Sequence, residues 1–177
     1  MGLVVYDESV IVECPGELVA RIDDSKKLSA KKRQASIPLI SRYCSCAMTQ
    51  MVPHRCIDRH GITGATYRAI RLLVEKLPLK PDIIIMDGLF RFDVGIPFEP
   101  VVNGDERSIT IASASIAAKV RRDEVLERFG ALYPGYNLSR NKGYGTLEHR
   151  EGLWRHGPSP IHRLSFEPVK SMISKGQ

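Results

Sequence analysis

Two acidic residues stand where carboxylates can do chemistry. Asp87 closes the stretch PDIIIMDG at 81–88, in which four large apolar residues, Ile83 to Met86, run straight into an acid followed by a glycine. Asp123 lies in the helical-looking stretch AAKVRRDEV. The C-terminal ends of strands in open α/β sheets are where sites collect, and carboxylates gathered there repel one another unless a cation lies between them. Hard oxygen donors suit Mg²⁺ or Mn²⁺. Two such ions about 3.5–4 Å apart can activate a water and stabilise the leaving oxygen of a phosphodiester. Each acid also has an ordinary explanation. An Asp before Gly is a common turn residue, and an Asp after Arg-Arg on a helix is a common solvated ion pair.

The elements that must hold these acids follow from the pattern around them. Residues 3–12, LVVYDESVIV, predict a strand interrupted by Asp7 and Glu8, and CPGE at 14–17 ends it. Ser29 predicts the cap of a helix reaching about Arg42, with Pro38 expected to kink or divide it. Residues 47–57 read as extended, with Pro53 at an edge or bend. Ile62, Ala65, Ala69, Leu72 and Leu73 share one face of a helix over 62–76. The continuous apolar run of PDIIIMDG predicts a strand buried on both faces, and PFEPVVNGD a second short strand. A long helix over 108–129, a glycine-, aromatic- and base-rich loop YPGYNLSRNKGYG, and a short helix around Glu148 to His156 complete the chain. Trp154 reads as a packing anchor. Strands interspersed with helices in one compact chain predict an α/β fold and a single domain over 1–177.

Composition narrows the partners. With 177 residues and 43% hydrophobic content the chain can bury one good core. It contains neither an apolar run of roughly 18 residues nor a charged start followed by an apolar signal segment. The expectation is a cytoplasmic protein away from membranes, acting as a monomer. Cys14, Cys44, Cys46 and Cys56 are too sparse for a disulfide framework and lack paired zinc-finger spacing. The net charge of +6 favours a polyanionic partner.

Several short motifs occur in one order: DSKKLS at 24–29, IDRHGITGAT at 57–66, IIIMDG at 83–88, VVNGDERS at 101–108, SASIAAKVRRD at 113–123, YPGY and NKGYGT at 133–146, and HRLSFEPV at 162–169. On these the chain resembles ribonuclease HII, the type 2 ribonuclease H. The resemblance implies a ribonuclease H-like mixed sheet flanked by helices, with a helical C-terminal portion. It implies cleavage of RNA strands or single ribonucleotides in RNA–DNA hybrid or duplex DNA, with two divalent ions, Mg²⁺ or Mn²⁺, held by four acids. By motif, Asp87 and Asp123 match two of those acids and are the candidate catalytic metal ligands. Tyr144 matches the tyrosine of K-G-Y that stacks on the sugar beside the ribonucleotide. Lys142 is placed near the phosphates, and Ser25 and Lys26 at the DNA backbone. Discrimination of RNA in that family rests on the ribose 2′-OH.

The family's remaining two acids lie in an N-terminal D-E-x-G-R-G, which this sequence does not contain. Either Asp7 and Glu8 are displaced remains of that motif, or GLVVYDESVIV corresponds to the family's second strand and the first is missing. The second reading fits the distance to DSKKLS without a gap, and leaves Glu8 as a possible substitute ligand. Asn103 and Asn141 stand where the family commonly has a lysine and a histidine, removing two positive charges near the phosphates. The sequence therefore supports two functions: a metal-dependent endoribonuclease, or a relative that binds RNA–DNA hybrid without efficient cleavage. A phosphatase using Asp87 as nucleophile is disfavoured, because Gly88 and Leu89 break the D-x-D pattern that chemistry needs.

Overall fold

The computed structural model describes residues 1–174, which separate into two compact units. The first comprises Met1–Met51 and Thr66–Val120; the second comprises Val52–Ala65 and the chain from Arg121 onward.

The first unit opens with strand β1 (Gly2–Val5), followed by short helices α1 (Glu8–Glu13) and α2 (Gly16–Val19) and the longer α3 (Ala30–Tyr43). Strand β2 (Cys46–Thr49) pairs antiparallel with β1, Val4 lying opposite Ala47. Helix α4 (His54–Glu75) enters this unit at Thr66 and leads to strands β3 (Ile84–Asp87) and β4 (Phe98–Val101), which pair in parallel. The four-residue α5 (Gly104–Arg107) and the first half of α6 (Ile109–Leu132) follow. Val4, Ile40 and Ile116 form the buried centre, with Tyr6, Ile22, Leu28 and Ile37 packed on it. Gly2 is required where it stands: a Cβ there would lie 2.2 Å from the carbonyl oxygen of Ala114 on α6.

Helix α3 starts as expected, the Ser29 hydroxyl accepting from the Lys32 amide at 3.3 Å. It runs through Pro38 rather than dividing there. Both Pro38 and Gln34, whose carbonyl loses its partner, face solvent, so water can satisfy the freed group. The strand expected over 3–12 stops at Val5, and ESVIVE is helical. Those β-branched residues find no strand to pair with among the described residues, and Ile11 and Val12 remain 45% and 75% exposed. The expected burial of PDIIIMDG on both faces also fails. Ile84 to Met86 are half-buried, Ile83 is 49% exposed and Asp87 is exposed, because β3 has a single neighbour strand. The mixed sheet takes the form of two separate two-stranded pieces, one antiparallel and one parallel.

In the second unit α4 begins at His54, directly after Pro53, and breaks at Gly61, whose φ of 69° no helix accommodates. The extended reading of 47–57 therefore holds only for the segment around β2. Beyond α6 come a 3₁₀ turn (Pro134–Tyr136), α7 (Leu138–Asn141), α8 (Leu147–His156) and α9 (Val169–Ser174). Tyr136, Leu138, Leu153 and Val169 form the core, with Phe129, Tyr133, Ile161 and Met172 against it. Gly152 lets α8 close on the 3₁₀ turn, since a Cβ would lie 2.4 Å from the Gly135 carbonyl oxygen. Trp154 is 64% exposed and anchors nothing, a correction to the packing role expected of it. No helix among the described residues is long and apolar enough to cross a membrane.

Candidate active site

Asp87 ends β3, and its Oδ1 accepts a hydrogen bond from the Gly104 amide at 2.9 Å. The VVNGD turn delivers that amide: Asn103 adopts a left-handed conformation with φ of 53°, and Gly104 is buried. A Cβ at Gly104 would lie 2.6 Å from Ile111 Cδ1, so a larger residue there would push that side-chain tip aside. The arrangement fixes one oxygen of an exposed carboxylate by a charge-assisted hydrogen bond.

Beside it lies a group centred on Lys26. The Lys26 ammonium is 3.1 Å from Oδ2 of the buried Asp105, and its backbone amide donates to Asp24 Oδ1 at 2.9 Å. The hydrogen bond and charge of Asp105 raise the Lys26 pKa first, and the charges of Asp24 and Asp87 add to them. The structure thus brings two of the expected residues, Lys26 and Asp87, into one electrostatic neighbourhood. Ser25 is buried, its hydroxyl 2.9 Å from that of Ser115 on α6. Asp7 sits at the start of α1 without capping it through its side chain, and Glu8 is exposed in the first turn. Both border a cavity that Asp87 also borders. Asp24 and Asp105 were not singled out from the sequence; the acid behind the glycine of N-G-D was the available signal.

The second unit holds the other expected residues. Asp123 is buried on α6. Tyr144 is 58% exposed, and the guanidinium carbon of Arg122 stands 5.3 Å from its ring centroid. Cation–π contact of this kind orients a ring. Lys142, left-handed with φ of 51°, pairs with Glu127. Asn141, noted in the sequence only for the charge it lacks, organises this turn. It is buried, donates to the Tyr136 carbonyl at 2.8 Å and accepts from the Gly143 amide at 2.8 Å.

Near this turn, the rings of Tyr136, His149 and His162 meet at tilted angles in one cluster, the two imidazoles 5.3 Å apart. His162 Nδ1 accepts from the Ser159 amide at 3.1 Å, which puts the proton of the neutral ring on the buried, unpartnered Nε2. Burial, then the neighbouring His149, holds the His162 pKa below its ordinary value. Arg163 lies 3.8 Å over the Phe166 ring.

The carboxylates are donors of the right chemistry for Mg²⁺ or Mn²⁺: hard oxygens, one already oriented by an amide. Among the described residues no three His, Cys, Asp or Glu side chains are grouped so as to hold a metal ion.

Comparison with known proteins gives a consistent result. The family model for ribonuclease HII matches residues 18–169. The ribonuclease HII of Syntrophomonas wolfei is 43% identical over 160 residues, covering 90% of this chain and 61% of that protein. The ribonuclease HII of Chlorobium luteolum is 41% identical over 150 residues, covering 84% of this chain and 72% of its own length. The chain thus spans about three-fifths of the first relative and somewhat more of the second. Among solved structures, ribonuclease H2 from Pyrococcus horikoshii superimposes with a TM-score of 0.78 at 18% identity, covering 98% of this chain and 89% of that one. The ribonuclease HII in a complex with PCNA from Archaeoglobus fulgidus gives 0.68 at 21% identity, over 85% and 80% of the two chains. At those identities the likeness is one of fold.

Proposed function

The chain belongs to the ribonuclease HII family, and we propose that it cuts RNA strands or single ribonucleotides in RNA–DNA hybrid or duplex DNA endonucleolytically. The observation that carries this reading is Asp87: an exposed carboxylate at a strand end, oriented by the Gly104 amide, in the motif where the family holds metal. By motif, Asp87 and Asp123 hold divalent cations, Mg²⁺ or Mn²⁺, with Glu8 and Asp7 as further oxygen donors. When bound, such ions supply Lewis acidity toward a phosphodiester.

The remaining roles belong to the chain's own side chains. The exposed Tyr144 ring, steadied by Arg122, stacks on the sugar beside the ribonucleotide. Lys142 and Lys26 lie where phosphates pass, and each exchanges a carboxylate partner for phosphate on binding. Ser25 supports the turn that carries Lys26, and backbone contacts there bind DNA without reading sequence.

The test is incubation of the chain with a duplex carrying one ribonucleotide, in Mg²⁺ and separately in Mn²⁺. A cut at the ribonucleotide is expected, reduced about a hundredfold or more in Asp87→Asn and in Asp123→Asn. A second reading, a hybrid-binding protein without efficient cleavage, is decided by the same assay. Retained, salt-sensitive binding with no cut above background in either metal would establish that reading and remove the first.

A further inference from the structure

The net charge of the chain is not shared evenly between its two units. The second carries 12 of the 26 basic and 7 of the 20 acidic side chains, which amounts to five of the net +6. That excess belongs to the unit that presents Tyr144, and a basic surplus on one unit is the electrostatic footprint of a nucleic acid.

Helix α8 starts beside that tyrosine. The Thr146 amide donates to the Tyr144 carbonyl at 2.8 Å, and the Thr146 hydroxyl caps the helix by accepting from the His149 amide at 3.3 Å. His149, Gly152 and Leu153 form the buried face of α8. Leu147 and Trp154, seven residues apart, share the opposite face and are 68% and 64% exposed. A leucine and a tryptophan held together in water on one stripe mark a contact surface. Arg150 and Arg155 flank the stripe, and neither has an ion-pair partner among the described residues. Arg150 folds back onto the tyrosine turn, its Nε 3.7 Å from where a Cβ on Gly145 would stand.

We infer that the outer face of α8 binds an unpaired stretch of nucleic acid, one base stacked on the Trp154 indole and phosphates at Arg150 and Arg155. A paired base hides its π-faces inside the duplex stack, so only an unpaired one can lie flat on an indole. Aromatic platforms interleaved with arginine are how proteins hold such strands without reading sequence. A peptide helix would cover Leu147 and Trp154 as well, yet it makes no use of the flanking arginines or of the unit's basic surplus. The inference rests on the nucleic-acid substrate proposed above and adds a second surface to it, with Trp154 roughly 10 Å along the helix from Leu147.

Trp154 is the only tryptophan of the chain, so its fluorescence reports this face alone. The whole chain is titrated, without divalent metal so that nothing is cut, with a blunt duplex carrying one ribonucleotide and with the same duplex extended by unpaired thymidines at both ends. Quenching is expected with the extended duplex and not with the blunt one. Trp154→Ala, an exposed position where alanine suits the helix, should weaken binding of labelled extended duplex about fivefold or more and leave the blunt duplex unchanged. Glu151→Gln, which removes an acid from the same face, should tighten the extended duplex. Equal quenching by both duplexes, quenching by neither, or unchanged affinity in Trp154→Ala would overturn the inference. Cleavage at the ribonucleotide is a separate readout: a chain that cuts without quenching refutes the Trp154 surface alone, and one that binds neither duplex refutes the proposed substrate with it.

Discussion

The two units treat their polar backbone differently. In the second, side chains hold backbone amides in place: Asp58 accepts from the amides of Leu164 and Ser165, more than a hundred residues away, at 3.1 and 2.9 Å, and Asn141 fixes the local turn that presents Tyr144. In the first, two separate two-stranded pieces line a cavity, and Asp87 ends one of the strands. The proposed stacking ring therefore sits on a preorganised turn, whereas the proposed metal ligand sits on a strand with one neighbour. Local stability follows the density of buried contacts, so the β3 end should be the looser support.

The sharpest way to break this contrast is to truncate one apolar residue in each unit. Leu153, 1% exposed, should cost about 3–4 kcal/mol on change to alanine, and the half-buried Ile85 about 1 kcal/mol. Urea unfolding combined with hydrogen exchange for each unit measures both, and equal costs would erase the distinction. Asp58→Ala comes next, at about 1–2 kcal/mol, read as faster exchange at Leu164 and Ser165.

Helix caps sharpen the comparison by serving as an internal standard. Ser29→Ala in the first unit and Thr146→Ala in the second each remove an acceptor 3.3 Å from its amide, and each should cost about 1 kcal/mol. Matching losses would confine the difference to strand edges and long-range ties.

The smallest effect is a divergence with pH. The depressed pKa of His162 means that its contribution is complete above the ordinary value of 6.5 and is lost as pH falls toward the folded value. Burial opposes ionisation of Asp58, yet its bonds to Ser165 and Leu164 prevail and lower its pKa, which adds to acid sensitivity. Lys26 has a raised pKa, so its contribution is complete below 10.5 and lost as pH rises through the folded value. Acid should loosen the second unit and alkali the Lys26 group of the first, followed by exchange at Ser165 and at Lys26 respectively.

Local signals with a strong physical cause were legible in the sequence. The Ser29 cap, the short strand of PFEPVVNGD and the helices over α6 and α8 stand where pattern and capping chemistry put them. Features set by packing between distant segments were not. ESVIVE has strand propensity, yet propensity yields to whatever the surroundings can pair, and it became a helix. IIIM reads as a fully buried run, but burial needs material on both sides, which one neighbouring strand does not supply. At the site, the motif acids were visible, whereas Asp105 under Lys26 and Asn141 under the K-G-Y turn depend on pairings between segments that spacing alone does not reveal.

The Asp58 tie also has a temporal meaning. Its partners lie 106 and 107 residues further along the chain, so at ordinary translation speeds, roughly 5–20 residues per second, several seconds separate its synthesis from theirs. During that interval Asp58 and the helical segment carrying it must wait, hydrated, for Leu164 and Ser165. The Asp58 tie can form only after Ser165 has been synthesised, however early its own segment has folded.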